Sequence, residues 1–157
     1  MSDGLSGFFA GDSTHILPVR VYYEDTDAGG IVYHANYLRF MERGRSSMLY
    51  LLGFRHTDVL DSTGVAFAVR AMEIDFLAPA RLDDILAVET RITKIGGASF
   101  AVAQAIRRDE RVLTRAGLKL ATIDRAGQAA RMPAAVREAL TTLFHRQQLS
   151  SQAPIPS

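Results

Sequence analysis

Residues 36–53 read NYLRFMERGRSSMLYLLG, and the fold turns on how this stretch is read. Tyr37, Met41, Gly44, Met48 and Leu51/Leu52 recur at three- and four-residue spacing, the period of one helix face. Asn36 is a suitable N-cap and Gly53 a suitable stop, so the spacing predicts one long helix between them. Gly44 sits in mid-stripe at a cost of about 1 kcal/mol against alanine, which predicts close packing against another element. Arg39, Glu42 and Arg43 fall on the wet side.

Toward the N-terminus, Val19, Val21 and Tyr23 alternate with Arg20, Tyr22 and Glu24, the pattern of a half-buried strand over 16–24. The run Asp25-Thr26-Asp27-Ala28-Gly29-Gly30 ends it with turn chemistry. On the other side, a loop carrying Asp58 and Asp61 leads into a series of strands. In 65–77 the large apolar side chains shift from odd positions (Val65, Phe67, Val69) to even ones (Met72, Ile74, Phe76), predicting a β-bulge near Arg70–Ala71. Pro79 ends that strand. Leu86, Val88, Thr90 and Ile92 mark the inner face of the next, Gly96-Gly97 turns into 98–108, and Asp109-Glu110 turns into 111–123. There Val112, Ala116, Leu118 and Leu120 are expected inward. Pro133 opens a second, short helix with Val136, Leu140, Leu143 and Phe144 at amphipathic spacing.

Long strands joined by short turns predict an antiparallel meander, and its apolar face has to be covered. The long helix is the natural cover. The expected architecture is therefore α+β, a curved antiparallel sheet wrapped around one long central helix. Residues 1–15 read as a flexible lead-in, 16–146 as the domain and 147–157 as a disordered tail.

The chain has 157 residues, 18 Lys+Arg against 17 Asp+Glu, and no cysteine. Its length suits one domain, and its balanced charge argues against a nucleic-acid binder. The missing thiols exclude disulfides, cysteine nucleophiles and Cys-ligated metal. No apolar run approaches the roughly 18 residues of a membrane span, and the N-terminus lacks a secretory signal, so the expected compartment is the cytoplasm. His15, His56 and His145 are scattered without metal spacing, and no metal or cofactor is expected. Asp83-Asp84 reads as a turn, and Arg107-Arg108 with Arg111 as a solvated hairpin tip.

The densest polar cluster is residues 22–37, YYEDTDAGGIVYHANY. As a calcium loop it fails, because Gly29 and Asn36 stand where the EF-hand pattern places acidic ligands, and no helix precedes it. As a plain turn it needs nothing more, since Asp and Asn bond their own backbone and glycine permits positive φ. As a catalytic turn it offers a carboxylate base or nucleophile beside the free N–H groups of a helix start, near His34 to Asn36.

The stretch Val19 to Arg45, VRVYYEDTDAGGIVYHANYLRFMERGR, resembles the hotdog-fold acyl-CoA thioesterases. It is nearest to the Tol–Pal-associated, YbgC-like branch and to 4-hydroxybenzoyl-CoA thioesterase. Residues 67–72 (FAVRAM) and 78–84 (APARLDD) resemble the same branch, and the match spans roughly 16–140. The resemblance implies the hotdog fold and hydrolysis of an acyl-CoA to acid and free CoA, with Asp27 as the catalytic carboxylate. It implies that His34 polarises the thioester carbonyl through its backbone N–H. It places Asp25 as a supporting residue, with Gly30, Tyr33, Asn36 and Tyr37 at the helix start and substrate pocket. Basic residues that bind the CoA nucleotide in the hydroxybenzoyl enzyme are replaced here by Gly96-Gly97-Ala98-Ser99, leaving Arg70 and Arg81 as candidates. It further implies a homodimer that pairs into a homotetramer. Acyl-carrier protein, or Tol–Pal and lipid-synthesis proteins at the inner membrane, are the partners it suggests. The alternatives are a non-hydrolytic acyl-binding module of envelope assembly and a hotdog dehydratase that uses His34 as proton shuttle.

Overall fold

The computed structural model describes residues 4–151. The elements run β1 (Phe8–Phe9), β2 (His15–Arg20), a single 3-10 turn (Tyr23–Asp25), α1 (His34–Leu51), α2 (His56–Thr63), β3 (Val65–Phe76), β4 (Ile85–Ile95), β5 (Ser99–Arg108), β6 (Arg111–Asp124) and α3 (Ala134–Ser151). The six strands form one curved sheet in the order β1-β2-β4-β5-β6-β3, with every pair antiparallel. No helix among the described residues is long and apolar enough to cross a membrane.

Helix α1 lies across β2, β4 and β5 and buries Tyr37, Phe40, Met41, Gly44, Met48 and Leu49. Gly44 is where the helix comes closest to the sheet. A Cβ there would stand 2.9 Å from Val88 Cγ1 and 3.3 Å from both Thr90 Oγ1 and Gln104 Nε2. Gln104, itself buried, donates to the Met41 carbonyl and to Thr90 Oγ1 (2.9 Å each) and accepts from Arg45 (3.1 Å). The helix is therefore both packed on the sheet and hydrogen-bonded to it.

The expected inner face of β4 is buried at Leu86, Val88, Thr90 and Ile92. The bulge in β3 falls between Val69 and Ala71, as the phase shift predicts. Two further register shifts are unforeseen, at Ile92/Lys94 in β4 and at Ile106/Arg107 in β5, and the latter re-sets β6. It turns Leu113 into the core in place of the half-buried Val112, and the Leu113 carbonyl then receives the N–H groups of Leu77 and Ala78.

Several boundaries differ from expectation. Strand β2 stops at Arg20, because the chain turns at Tyr23–Asp25 and leaves Tyr23 83% exposed. Helix α1 begins three residues early, so Asn36 lies in its first turn and Tyr33 is the cap. The loop around Asp58 and Asp61 is the helix α2, ended by Gly64 at φ 73°. Only Val59 of α2 is buried, which left too faint an apolar stripe to read. Helix α3 is not short; it has 18 residues, as many as α1.

The lead-in and tail are also more ordered than expected. Within 4–15, β1 pairs with β2, and Ser6, Thr14 and His15 are buried. Arg91 on β4 donates to Asp12 Oδ2 (3.1 Å) and to Thr14. Residues 147–151 continue α3, and buried Gln147 accepts from the Ile92 N–H (3.1 Å) and donates to the Ser13 carbonyl (3.3 Å). The rest of the expected tail, 152–157, lies outside the described residues.

Two outcomes follow from this packing. Gly44→Ala gains helix propensity of about 1 kcal/mol but overpacks against Val88, for a net loss of about 1–2 kcal/mol. Denaturant unfolding checks this, and Val88→Ala in the same chain should recover part of the loss; a more stable Gly44→Ala refutes the close packing. His15 is fully buried, with Nε2–H donating to the Ser6 carbonyl (2.7 Å) and Nδ1 without a partner. Burial outweighs that hydrogen bond and lowers its pKa below the ordinary value of about 6.5. The fold thus holds His15 neutral while the unfolded chain takes up a proton. Its contribution is full above about pH 6.5 and declines as pH falls below that value. Urea midpoints measured between about pH 7.5 and 5 should show this decline, and it should flatten in His15→Gln.

Candidate active site

The site is built from the turn between β2 and α1. Thr26 and Val32 face each other as an isolated bridge, the Asp27 N–H donates to the Ile31 carbonyl (2.9 Å), and Gly30 at φ 78° closes the turn. A left-handed residue is required there, which glycine supplies without strain. Inside this turn Asp27 Oδ1 accepts the N–H of Gly29 (2.8 Å). One carboxylate oxygen is thereby fixed while the residue as a whole remains exposed.

Asp25 is buried and works in the opposite sense. Its Oδ2 accepts the Tyr22 N–H (2.9 Å), and its carbonyl accepts both the Tyr33 N–H (3.0 Å) and Asn36 Nδ2 (2.8 Å). Asp25 and Asn36 staple the 3-10 turn onto the start of α1. That helix has an extended cap residue, Tyr33, with no side-chain capping bond. The N–H groups of His34 and Ala35 find no acceptor among the described residues. Two donors are left at the positive end of an 18-residue helix.

An apolar cleft of about 340 Å³ opens beside these donors, lined by Ile31, Val32, His34, Tyr37, Phe76 and Pro79. The His34 ring stands between Tyr33 (4.6 Å) and Phe76 (6.2 Å, edge-on). Tyr37 is buried, and burial raises its phenol pKa; its hydroxyl accepts the Ala80 N–H (3.0 Å).

Asp25, Asp27, Gly30, Tyr33, His34, Asn36 and Tyr37 all fall within the turn and the first turn of α1; of these, His34 and Tyr37 line the cleft, Asp25 and Asn36 brace the turn, and Asp27 lies exposed on it. Arg70 is not with them: it is exposed at the β3 bulge and lines no part of the cleft. Sequence reading missed the far wall. The sequence places Phe76 on a strand and offers 78–84 as a strand end, a turn, a stretch resembling the family and the candidate Arg81, with nothing that sets either against the catalytic turn. Yet Ile31 bridges to Arg81, the Val32 N–H donates to the Ala80 carbonyl (2.9 Å), and the Leu82 N–H donates to the Gly30 carbonyl (3.3 Å).

The staple is testable. Asn36→Ala should cost about 1–2 kcal/mol of stability, the range for a buried hydrogen bond. Asn36→Asp should cost more, because it places an acceptor against the Asp25 carbonyl. Thermal or urea unfolding ranks the two, and an aspartate variant at least as stable as the alanine one contradicts the assigned bond.

Comparison with known proteins agrees with this geometry. Residues 29–114 match the family model described as the thioesterase superfamily. The chain is 44% identical over 113 residues to the acyl-CoA thioesterase YbgC of Haemophilus influenzae, covering 72% of this chain and 83% of that protein. It is 51% identical over 96 residues to the acyl-CoA thioester hydrolase YbgC of Escherichia coli O6:H1, covering 61% and 71%. Among solved structures, a probable thioesterase from Bartonella henselae superposes with a TM-score of 0.74 at 41% identity, covering 76% of this chain and 99% of that one. Sheet, helix and matched residues converge: this chain belongs to the thioesterase superfamily.

Proposed function

We propose that the protein hydrolyses acyl-CoA thioesters to a carboxylic acid and free CoA at the Asp27–His34 turn. The observation that carries this reading is the pairing, within one turn, of a held but exposed carboxylate with two helix-start N–H groups lacking acceptors. The thioester carbonyl oxygen accepts from the His34 and Ala35 amides, which stabilise the oxyanion as it forms. The free oxygen of Asp27 then either takes a proton from an attacking water or attacks the carbonyl carbon itself. In both routes a tetrahedral centre collapses and the C–S bond breaks; in the first the proton held by Asp27 passes to the departing sulfur, and in the second CoA leaves as a thiolate that takes its proton from solvent. In the second, water afterwards cleaves the mixed anhydride and restores Asp27.

The cleft also supports a dimeric enzyme in this reading. Strand β3 is a sheet edge of 12 residues, with Val69 47% and Phe76 48% exposed, and its unpaired N–H and C=O groups offer a template for a second strand. An antiparallel two-fold pairing of β3 sets its Phe76 end against the Val65–Phe67 end of a second copy. That end borders a further cavity of about 270 Å³ lined by Glu42, His56, Val59, Leu60 and Phe67, which extends the room for an acyl chain. Two such dimers make the homotetramer. Arg81, exposed next to the turn and without a carboxylate partner among the described residues, is the better placed of the two arginines for a CoA phosphate; Arg70 follows along β3.

Thiol release from short, long and aromatic acyl-CoAs tests the proposal, and a chain with no cysteine gives no background. Asp27→Asn should lower kcat by about 10²-fold or more. His34→Ala, which keeps the backbone N–H, should lower it less. Full turnover in Asp27→Asn, or saturable acyl-CoA binding without thiol release in the parent protein, defeats the assignment.

A further inference from the structure

The loop that faces the proposed catalytic turn is itself clamped from behind by an ion pair the chemistry does not use. Asp84 Oδ2 accepts from Arg108 (2.7 Å) and from the backbone N–H of Arg81 (2.8 Å). The same Arg108 nitrogen donates to the Pro79 carbonyl (3.3 Å). Side-chain exposures of 28% for Arg108 and 22% for Asp84 leave the pair largely shielded from solvent, where charge-assisted bonds hold better than on an open surface. The backbone of the same segment is tied to the exit of β2, with Val21 N–H on the Asp84 carbonyl (2.9 Å) and Asp83 N–H on the Val21 carbonyl (3.0 Å). From the other side, the Tyr37 hydroxyl holds the Ala80 N–H.

What this clamp fixes is the seat of the turn. Between Asp27 and His34, the Gly30 carbonyl, the Ile31 bridge and the Val32 amide all end on residues 80–82. A shift of the loop must therefore move the segment that links the carboxylate to the helix-start amides. Misplacing a reacting group by about 1 Å can cost about 10²-fold in rate.

We infer that Asp84 and Arg108 are positioning residues for the hydrolysis, holding residues 79–82 as the abutment that keeps Asp27 in register with the amides of His34 and Ala35. The inference rests on the catalytic reading of that turn. Neither side chain lines the cleft, so losing the pair should act on kcat and leave KM nearly unchanged. The neighbouring Arg107–Glu89 pair, which joins β5 to β4 and touches no part of the loop, is the control.

Acyl-CoA hydrolysis and amide hydrogen exchange, measured on the full chain, decide it. In Asp84→Asn and in Arg108→Gln, kcat should fall about 10- to 100-fold with KM within about twofold. The double variant should fall no further than either single one, because the two act as a unit. Arg108→Lys should recover part of the rate. Exchange over residues 27–35 should quicken about tenfold while β5 and α3 keep their protection. Should the single variants fold poorly, Tyr37→Phe releases the same loop at Ala80; because Tyr37 also lines the cleft, it is read by amide exchange alone, which should quicken over residues 27–35 and leave β5 and α3 protected. An unchanged kcat, an equal loss in Arg107→Gln, or faster exchange throughout the chain overturns the positioning role. Full activity in Asp27→Asn overturns the catalytic reading and this inference with it. Activity lost in Asp27→Asn but retained in Asp84→Asn overturns this inference alone.

Discussion

The approach of α1 to the sheet at Gly44 is the constraint on which the rest of the molecule depends. With no side chain at that point, the helix backbone settles onto Val88, Thr90 and Gln104, and Gln104 reaches the Met41 carbonyl. The depth and direction of the helix are then set. So is the position of its N-terminus, because the helix is rigid over its 18 residues. A bulkier residue at position 44 would lift the helix and carry His34 and Ala35 away from the loop after β3 that walls the cleft.

That N-terminus departs from ordinary helix design. Most helices satisfy their first N–H groups with a Ser, Thr, Asp or Asn cap, and this one has Tyr33 in the cap position. The available side chains are engaged elsewhere: Asp25 on Tyr22, Asn36 on the Asp25 carbonyl, Asp27 on Gly29. The stapling bonds hold the helix start in place without covering its donors. A local stability rule is broken where the proposed mechanism seats the substrate carbonyl, and such departures are characteristic of functional sites.

This division explains what was legible in the sequence. Periodicity exposed the long helix, the strands β3 to β6 and the first bulge, because alternating burial is written into neighbouring residues. The turn with Asp27 and His34 was equally open to reading, since its parts lie within ten positions of one another. The Leu113 bulge was hidden, because Val112 and Leu113 are both apolar and only pairing with β5 chooses between them. Helix α2 was hidden by its single buried side chain, and the ordered lead-in by the distance between Asp12, Arg91 and Gln147 along the chain.

The far wall of the site was hidden for the same reason as the lead-in, with a larger consequence. Asp84 taken alone is a turn former, and Arg108 taken alone is a hairpin-tip charge; both are adequate local readings of local sequence. Only the meander, by laying β5 beside β4, brings position 108 to the end of the loop that position 84 closes. Their pairing adds a second support to a turn whose own bonds run mainly along the backbone. The first support, from Gly44 through α1, sets where the amides stand. The second, from Arg108 through Asp84 and Ala80, sets where the carboxylate's turn stands against them. In the proposed mechanism both groups act on one carbonyl, so the relevant quantity is the agreement between two supports that enter the site from opposite sides of the fold.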